Sequence, residues 1–410
     1  RLVIKGKSRA GLSQRLGRAP ALGPPPPAGR VWLHAVSAGE VVAAAPIARW
    51  LGELSPETEV VISTTTPAGQ QQARRLIPTA RAHFYFPFDY LPCVARALGR
   101  VRPTVIAAVE TEIWPNWLFC ARRRGIPALV LNGKISDRGF RRARRFAGLY
   151  RWALGLPEAL LMQSEQDAER ALALGARRER VRVAGQTKFE QTVSRLDTNQ
   201  QAALRAEMGL DAARPLLVAG STHPGEEEQV LAAWEAARAA VPGLQLLIAP
   251  RHIERAPALE SWLRGRGYEV ARRSQPWQTL VQPSGAIWLL DTMGELARTY
   301  ALADVVFVGG SLVPVGGHDL LQPLFHGKPV LCGPHVHNQR DSAALILAEG
   351  AGAQVADVAT LAQAVVNWLA SPAQAEAVRA AGQRLLARHR GAARACAEAL
   401  LQRVAKGSLR

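Results

Sequence analysis

TVIAAVETEIWPN (residues 104–116) packs a strand, a turn and a helix start into thirteen positions. Val105–Val109 is apolar without alternation, as expected of a strand covered on both faces of its sheet. Trp114, Pro115 and Asn116 then open a helix, since proline suits a first helical turn. The same pattern recurs upstream and downstream. Further apolar runs are VWLHAVS (31–37), EVVIST (59–64), ALVLNG (128–133), ALLMQS (159–164) and RVRVAG (180–185). Helical stretches such as VVAAAPIARWL, QQARRL and SEQDAERALAL separate them. A second series follows: PLLVAGST (215–222), LQLLIAPR (244–251), AIWLLD (286–291), DVVFVGGS (304–311) and KPVLCGP (328–334). Apolar strands alternating with helices predict an α/β chain with two tandem doubly wound, Rossmann-like parallel sheets.

A length of 410 residues agrees with two cores. The polar stretch QTVSRLDTNQQAAL breaks the strand series and places the boundary near residues 190–205. The expected division is residues 1–195, residues 196–385, and a C-terminal helix over 386–410 that returns to the first domain. From Asp357 to Val404 the chain reads as helices rich in Ala, Leu and Arg. Pro24–Pro27 reads as a stiff connector.

Composition is 48% hydrophobic and 20% charged, which excludes a disordered chain. Lys plus Arg number 51 against 33 Asp plus Glu, a balance of +18 that favours anionic partners. An arginine-rich composition also serves solubility, and no nucleic-acid-binding module is visible. Cys93, Cys120, Cys332 and Cys396 form no CxxC pair and suit a reducing compartment. No run of eighteen apolar residues occurs. The ten tryptophans follow no heptad or stacking pattern and read as packing residues.

In parallel α/β sheets ligands bind beyond the carboxyl ends of the strands, so the candidate site residues follow the apolar runs. After the first run, Gly39 is read as permitting a tight turn, and Glu40 enters the first turn of a helix. There the helix N-terminus keeps a carboxylate ionised. Glu40 is a general base if an acceptor hydroxyl comes within reach, and otherwise a helix-stabilising first-turn glutamate. Glu110 and Glu112 are expected on opposite sides of an extended chain, one facing the cleft and one in an ion pair. Lys188 can neutralise charge on a departing phosphate, or simply be solvated.

In the second series Arg251 suits a forked contact to phosphate. Gly309, Gly310 and Ser311 are expected to offer backbone N–H groups to an anion. Glu295, after Met293 and Gly294, suits ribose or base donors. His223, His252, His318, His335 and His337 lack the carboxylate-linked i, i+4 spacing of a zinc helix, so no metal site is expected.

HAVSAGE, STTTPAG, FPFDY, ETEIWPN, GQTKFE, STHPGEEE, DTMGEL and SLVPVGGHDLLQP, in this order, resemble the Kdo (3-deoxy-D-manno-octulosonic acid) transferases. The resemblance runs from about residue 10 to the C-terminal helices. It implies the GT-B glycosyltransferase architecture, two Rossmann-like domains facing one interdomain cleft, with the last helix crossing back. It also implies inverting, metal-independent transfer from CMP-Kdo to a lipid A precursor in lipopolysaccharide synthesis, with no cofactor. The general base falls on Glu40 and the transition-state stabilisers on Glu110 and Lys188. Nucleotide contacts fall on Pro250, Arg251, Met293, Gly294 and Glu295, and on the loop from Asp319 to Gln322. That loop reads Asp319-Leu320-Leu321-Gln322 where the family has Asn-Pro-Leu-Glu, and Gly133 stands where Ala is usual. The implied partners are a CMP-activated sugar donor, an anionic lipid acceptor and a membrane surface, with no nucleic acid. The implied location is the cytoplasmic face of the bacterial inner membrane. Family members begin with a membrane-anchoring helix, expected here upstream of RLVIKGKSRAGLSQRLG, with Lys5, Lys7, Arg9 and Arg15 facing anionic headgroups. A GT-B enzyme using another sugar nucleotide, such as a UDP-sugar transferase or epimerase, and a non-catalytic binder of anionic lipid or nucleic acid are the alternative readings.

Overall fold

A computed structural model describes residues 10–110, 113–190, 196–275 and 285–407. The chain forms two compact units, Arg1–Thr192 with His389–Arg410, and Val193–Arg388.

The first unit holds seven strands: β1 (Arg30–His34), β2 (Glu59–Thr64), β3 (Ala82–Tyr85), β4 (Val105–Val109), β5 (Ala128–Gly133), β6 (Ala159–Met162) and β7 (Val181–Val183). All pairings are parallel, in the order β3-β2-β1-β4-β5-β6-β7. The direction of strand addition reverses between β1 and β4, which defines a topological switch point.

Successive strand residues enter opposite apolar layers. Val31, Leu33, Val105, Ala107 and Val109 face one layer; Trp32, Ile106 and Ala108 face the other. Both faces are therefore buried, and the strands read as unbroken apolar runs for that reason. The first layer is closed by the helix Ala38–Leu54 and the C-terminal helix Ala392–Gly407, through Ile47, Leu51, Cys396 and Leu400. In the second layer Trp32 meets Phe84 at 5.2 Å and the edge of Trp117 at 5.3 Å, and its indole N–H donates to Ser63 Oγ at 2.7 Å.

The second unit repeats the plan with β8 (Leu216–Thr222), β9 (Gln245–Pro250), β10 (Val270–Arg272), β11 (Ile287–Leu289), β12 (Val305–Val308), β13 (Val330–Cys332) and β14 (Gly352–Gln354). The parallel order is β10-β11-β9-β8-β12-β13-β14, with its switch point between β8 and β12.

Three strands escape the sequence reading: β3, β10 and β14. Each has three or four residues and ends its sheet. An end strand pairs on one side only and needs no long apolar run, so the signal is weak. Arg15 also departs from expectation. It is buried, donating to Ala10 O at 3.1 Å and Thr65 O at 2.6 Å, so it faces the protein and not a headgroup. Lys5, Lys7, Arg9 and Glu112 lie outside the described residues.

Candidate functional site

In the first unit Glu40 occupies the first turn of Ala38–Leu54, at the carboxyl end of β1. Its carboxylate folds back over the helix N-terminus, where Oε2 accepts from Val36 N at 2.7 Å and Oε1 from Ser37 Oγ at 3.1 Å. These donors fix the carboxylate over the first turn of the helix. Gly39 is not the glycine that this turn requires: its φ is ordinary, and a Cβ would meet nothing closer than 3.9 Å. The close approach is at Gly69 of STTTPAG, where a Cβ would lie 3.3 Å from both Val36 O and Ser37 C.

Glu110 follows β4, across the switch point from β1. The extended conformation expected there is not found. Glu110 has φ +64°, a left-handed backbone that bulky residues rarely adopt, and Leu131 O accepts from its N–H at 2.9 Å. The turn aims the side chain at Lys188, whose Nζ lies 2.7 Å from Glu110 Oε1. The contact is an ion pair, not a well-aligned hydrogen bond. Both side chains are about four-fifths buried. Two residues read separately in the sequence are thus one unit, and Lys188 is not a solvated lysine.

Lys188 is held by neighbours that sequence reasoning missed. Asn132 closes β5 in a left-handed conformation, φ +53°, and accepts from Thr187 N at 3.0 Å. Thr187 Oγ1 donates to Ala43 O at 2.8 Å, tying this segment to the Glu40 helix about one turn beyond Glu40. Glu190 accepts from Trp50 Nε1 at 3.1 Å and from Ala393 N at 2.8 Å. The Asn-Gly pair ending an apolar run was the available signal. Gly133 beside it leaves room that the Met162 sulfur fills, 2.7 Å from where a Cβ would stand.

At the end of β1, His34 is fully buried against Phe86 (ring centroids 3.8 Å apart) and its Nδ1 lies 3.0 Å from Ser63 Oγ. Burial pushes this imidazole down to about 3, the Ser63 carbonyl opposing, so it is neutral near pH 7.

In the second unit, the expectation of free N–H groups at Gly309–Ser311 fails. Glu226, 0% exposed, turns its carboxylate into this loop. Its Oε2 accepts from Gly310 N at 2.6 Å and His223 N at 3.0 Å; its Oε1 accepts from Ser311 N at 2.9 Å and Leu312 N at 2.8 Å. Gly309 N donates to Gly220 O at 2.8 Å. The nest exists, but a carboxylate of the protein already fills it and stitches the loops after β8 and β12 together.

Around this stitch, His223 Nε2 and His318 Nε2 approach to 2.8 Å, and the His252 ring lies 5.7 Å from that of His223. Desolvation lowers His223, and lowers His318 to about 4 with help from His223, Arg251 and His252. Among the described residues no group of three or more His, Cys, Asp or Glu has metal-ligand geometry. Arg251 follows Pro250 at the end of β9 and is exposed, with no carboxylate within ion-pair distance among the described residues.

Met293 is exposed, and Gly294 adopts φ +84° with open space around it. Glu295 is heavily engaged. Burial alone would raise its pKa, but hydrogen bonds from Thr292, Arg273 and Arg298 outweigh this and hold it down at about 2. Its oxygens thus already serve protein donors. Asp319 Oδ1 accepts from Leu321 N at 2.9 Å, and Gln322 Nε2 turns toward Asp319 Oδ2 at 3.5 Å.

The profile of the 3-deoxy-D-manno-octulosonic-acid transferase (kdotransferase) family matches residues 10–191. The 3-deoxy-D-manno-octulosonic acid transferase of Haemophilus influenzae is 31% identical over 396 residues, covering 95% of this chain and 90% of the relative. That of Bordetella pertussis is 33% identical over 398 residues, covering 94% and 90%. Among solved structures, UDP-GlcNAc 2-epimerase from Neisseria meningitidis bound to UDP-GlcNAc superposes with a TM-score of 0.58 at 13% identity, covering 91% of this chain and all of that one. At that identity the likeness concerns the fold alone, a pair of Rossmann-like units of GT-B type. Two parallel seven-stranded sheets, motifs in family order and full-length relatives above 30% identity converge: the chain belongs to the 3-deoxy-D-manno-octulosonic acid transferase family of glycosyltransferases.

Proposed function

We propose that this enzyme transfers Kdo from CMP-Kdo to a hydroxyl of a lipid A precursor, inverting the anomeric carbon without a metal. The observation that carries the reading is the fixed carboxylate of Glu40 at the β1–β4 switch point, on the helix to which the Lys188 segment is tied. Glu40 takes the acceptor hydroxyl's proton as the new C–O bond forms and the anomeric carbon–phosphate oxygen bond breaks, releasing CMP. Lys188, oriented by Glu110, stabilises negative charge developing in the transition state. On the donor side, Arg251 takes the phosphate, because the N–H groups of Gly310 and Ser311 are committed to Glu226. Pro250, Met293, Gly294 and the 319–322 loop border the nucleoside, while Glu295 acts by holding its own loop in shape. The acceptor chemistry places the work at an anionic lipid surface, the cytoplasmic face of the bacterial inner membrane.

Calorimetric titration with CMP, UMP and GMP tests the donor. Selective CMP binding, weakened in Arg251→Ala, is expected; preferential UMP binding overturns the CMP-Kdo reading. Glu40→Gln is expected to lower transfer about 10²–10⁴-fold while leaving CMP affinity unchanged. Retained transfer in that variant removes Glu40 from the role.

A further inference from the structure

The segment that returns to the first unit, His389–Arg410, meets the turn that carries Lys188, Thr187–Glu190. His389, the first residue of that segment, accepts at Nδ1 from Gln186 N at 3.1 Å, and its ring centroid lies 4.5 Å from that of Phe189. Ala393, in the first turn of Ala392–Gly407, donates its N–H to Glu190 Oε1 at 2.8 Å. Anchors therefore lie on both sides of Lys188 in the chain, at Gln186 before it and at Phe189 and Glu190 after it.

The sequence is fitted to this seam. Gly185 has φ +95°, and a Cβ on it would come 3.3 Å from His389 Nδ1 and 3.4 Å from Ala392 Cβ. A larger residue there would be strained in its backbone and wedged against the returning segment. Gln186, Thr187 and Phe189 are all buried. Glu190 reaches in two directions, since its Oε2 accepts from Trp50 Nε1 at 3.1 Å. One carboxylate thus joins the Glu40 helix to the C-terminal helix across the Lys188 turn. Lys188 itself is a point charge on a flexible stem, ion-paired with Glu110, so the placement of its backbone decides where the charge arrives. Displacement of a catalytic group by about 1 Å costs on the order of 10²-fold in rate.

We propose that Glu190 and His389 are positioning residues for the transfer reaction: they clamp the Lys188 turn to the C-terminal segment and keep Lys188 paired with Glu110. The assignment rests on the role given to Lys188 above and adds what sets it in place. The clamp joins two segments that the whole second unit, Val193–Arg388, separates on the chain.

The test uses the full chain carrying Glu190→Ala, Glu190→Gln, His389→Ala or His389→Asn, and reads two quantities. One is the rate of reductive methylation of the Lys188 amine, followed by mass spectrometry. The other is transfer, with kcat and KM separated. In Glu190→Ala and His389→Ala, Lys188 should label several-fold faster and kcat should fall about 10–100-fold, while donor KM and CMP affinity stay as in the wild type. His389→Asn, whose Oδ1 can accept in place of Nδ1, should recover most of kcat. In a Lys188→Ala background neither alanine substitution should lower the residual rate further. Should circular dichroism show Glu190→Ala unfolded, Glu190→Gln keeps one of the two acceptors and should give the same pattern at smaller amplitude. Unchanged labelling of Lys188 in the folded variants, or a further loss in the Lys188→Ala background, overturns the proposal. Full transfer by Lys188→Ala refutes the role given to Lys188 above. Loss of transfer in Lys188→Ala, with labelling and kcat unchanged in the clamp variants, refutes the clamp alone.

Discussion

Glu226→Gln is the sharpest test of how the second unit is built. The substitution preserves shape and removes one acceptor. Each carboxylate oxygen accepts two backbone N–H groups, His223 and Gly310 on Oε2, Ser311 and Leu312 on Oε1. An amide therefore gains nothing by flipping, because either orientation aims its NH₂ at two donors. Two buried N–H groups are left unsatisfied, each costing about 1–3 kcal/mol, so a loss of about 4 kcal/mol is expected. For a unit of this size that lowers the melting temperature by roughly 8–16 °C. The assay is calorimetric melting of both chains, with amide hydrogen exchange at Gly310, Ser311 and Leu312 to locate the effect, since two units need not melt together. Loss of stability below about 1 kcal/mol, with those three amides exchanging as in the wild type, would refute the reasoning.

Acid should weaken the first unit through His34. Its folded value of about 3 lies below the unfolded 6.5, so between these values the unfolded chain binds the extra proton and stability falls with falling pH. At pH 5 this amounts to about 2 kcal/mol relative to pH 7.5, measurable as a shift of the first unit's denaturant midpoint. His34→Gln should flatten the slope; an unchanged slope sinks the assignment. In the loop 319–322, the family's amide-then-carboxylate is a carboxylate-then-amide here, Asp319 and Gln322. Gln322→Glu alone sets two carboxylates against each other and should weaken CMP binding several-fold. Asp319→Asn added to it should restore binding, and calorimetry showing no recovery removes the pairing.

The interior strands of both sheets were legible because burial on two faces leaves an unbroken apolar run. The end strands β3, β10 and β14 were not, since half of their pairing is missing and so is half of their signal. The position of Glu40, in the first helical turn after β1, was legible from its place after an apolar run. The Glu110–Lys188 pair was not, because seventy-eight positions separate its members and a left-handed turn at a glutamate carries no sequence mark. Glu226 was hidden among three consecutive glutamates, Glu226–Glu228, that all read as a helix start. Which of them turns inward is settled by the loop after β12, more than eighty residues on. The tryptophans divide similarly: Trp32, Trp117, Trp234 and Trp288 are fully buried, as their scatter suggested, and Trp152 stands outside.

The C-terminal helix Ala392–Gly407 closes the apolar layer of the first unit, although the whole second unit precedes it on the chain. On the ribosome, the first sheet must therefore wait with Ile47 and Leu51 uncovered until that helix emerges. During that interval the uncovered apolar surface is open to aggregation. A fragment ending near residue 191 would carry this liability permanently and should aggregate, even though every strand of its sheet is present.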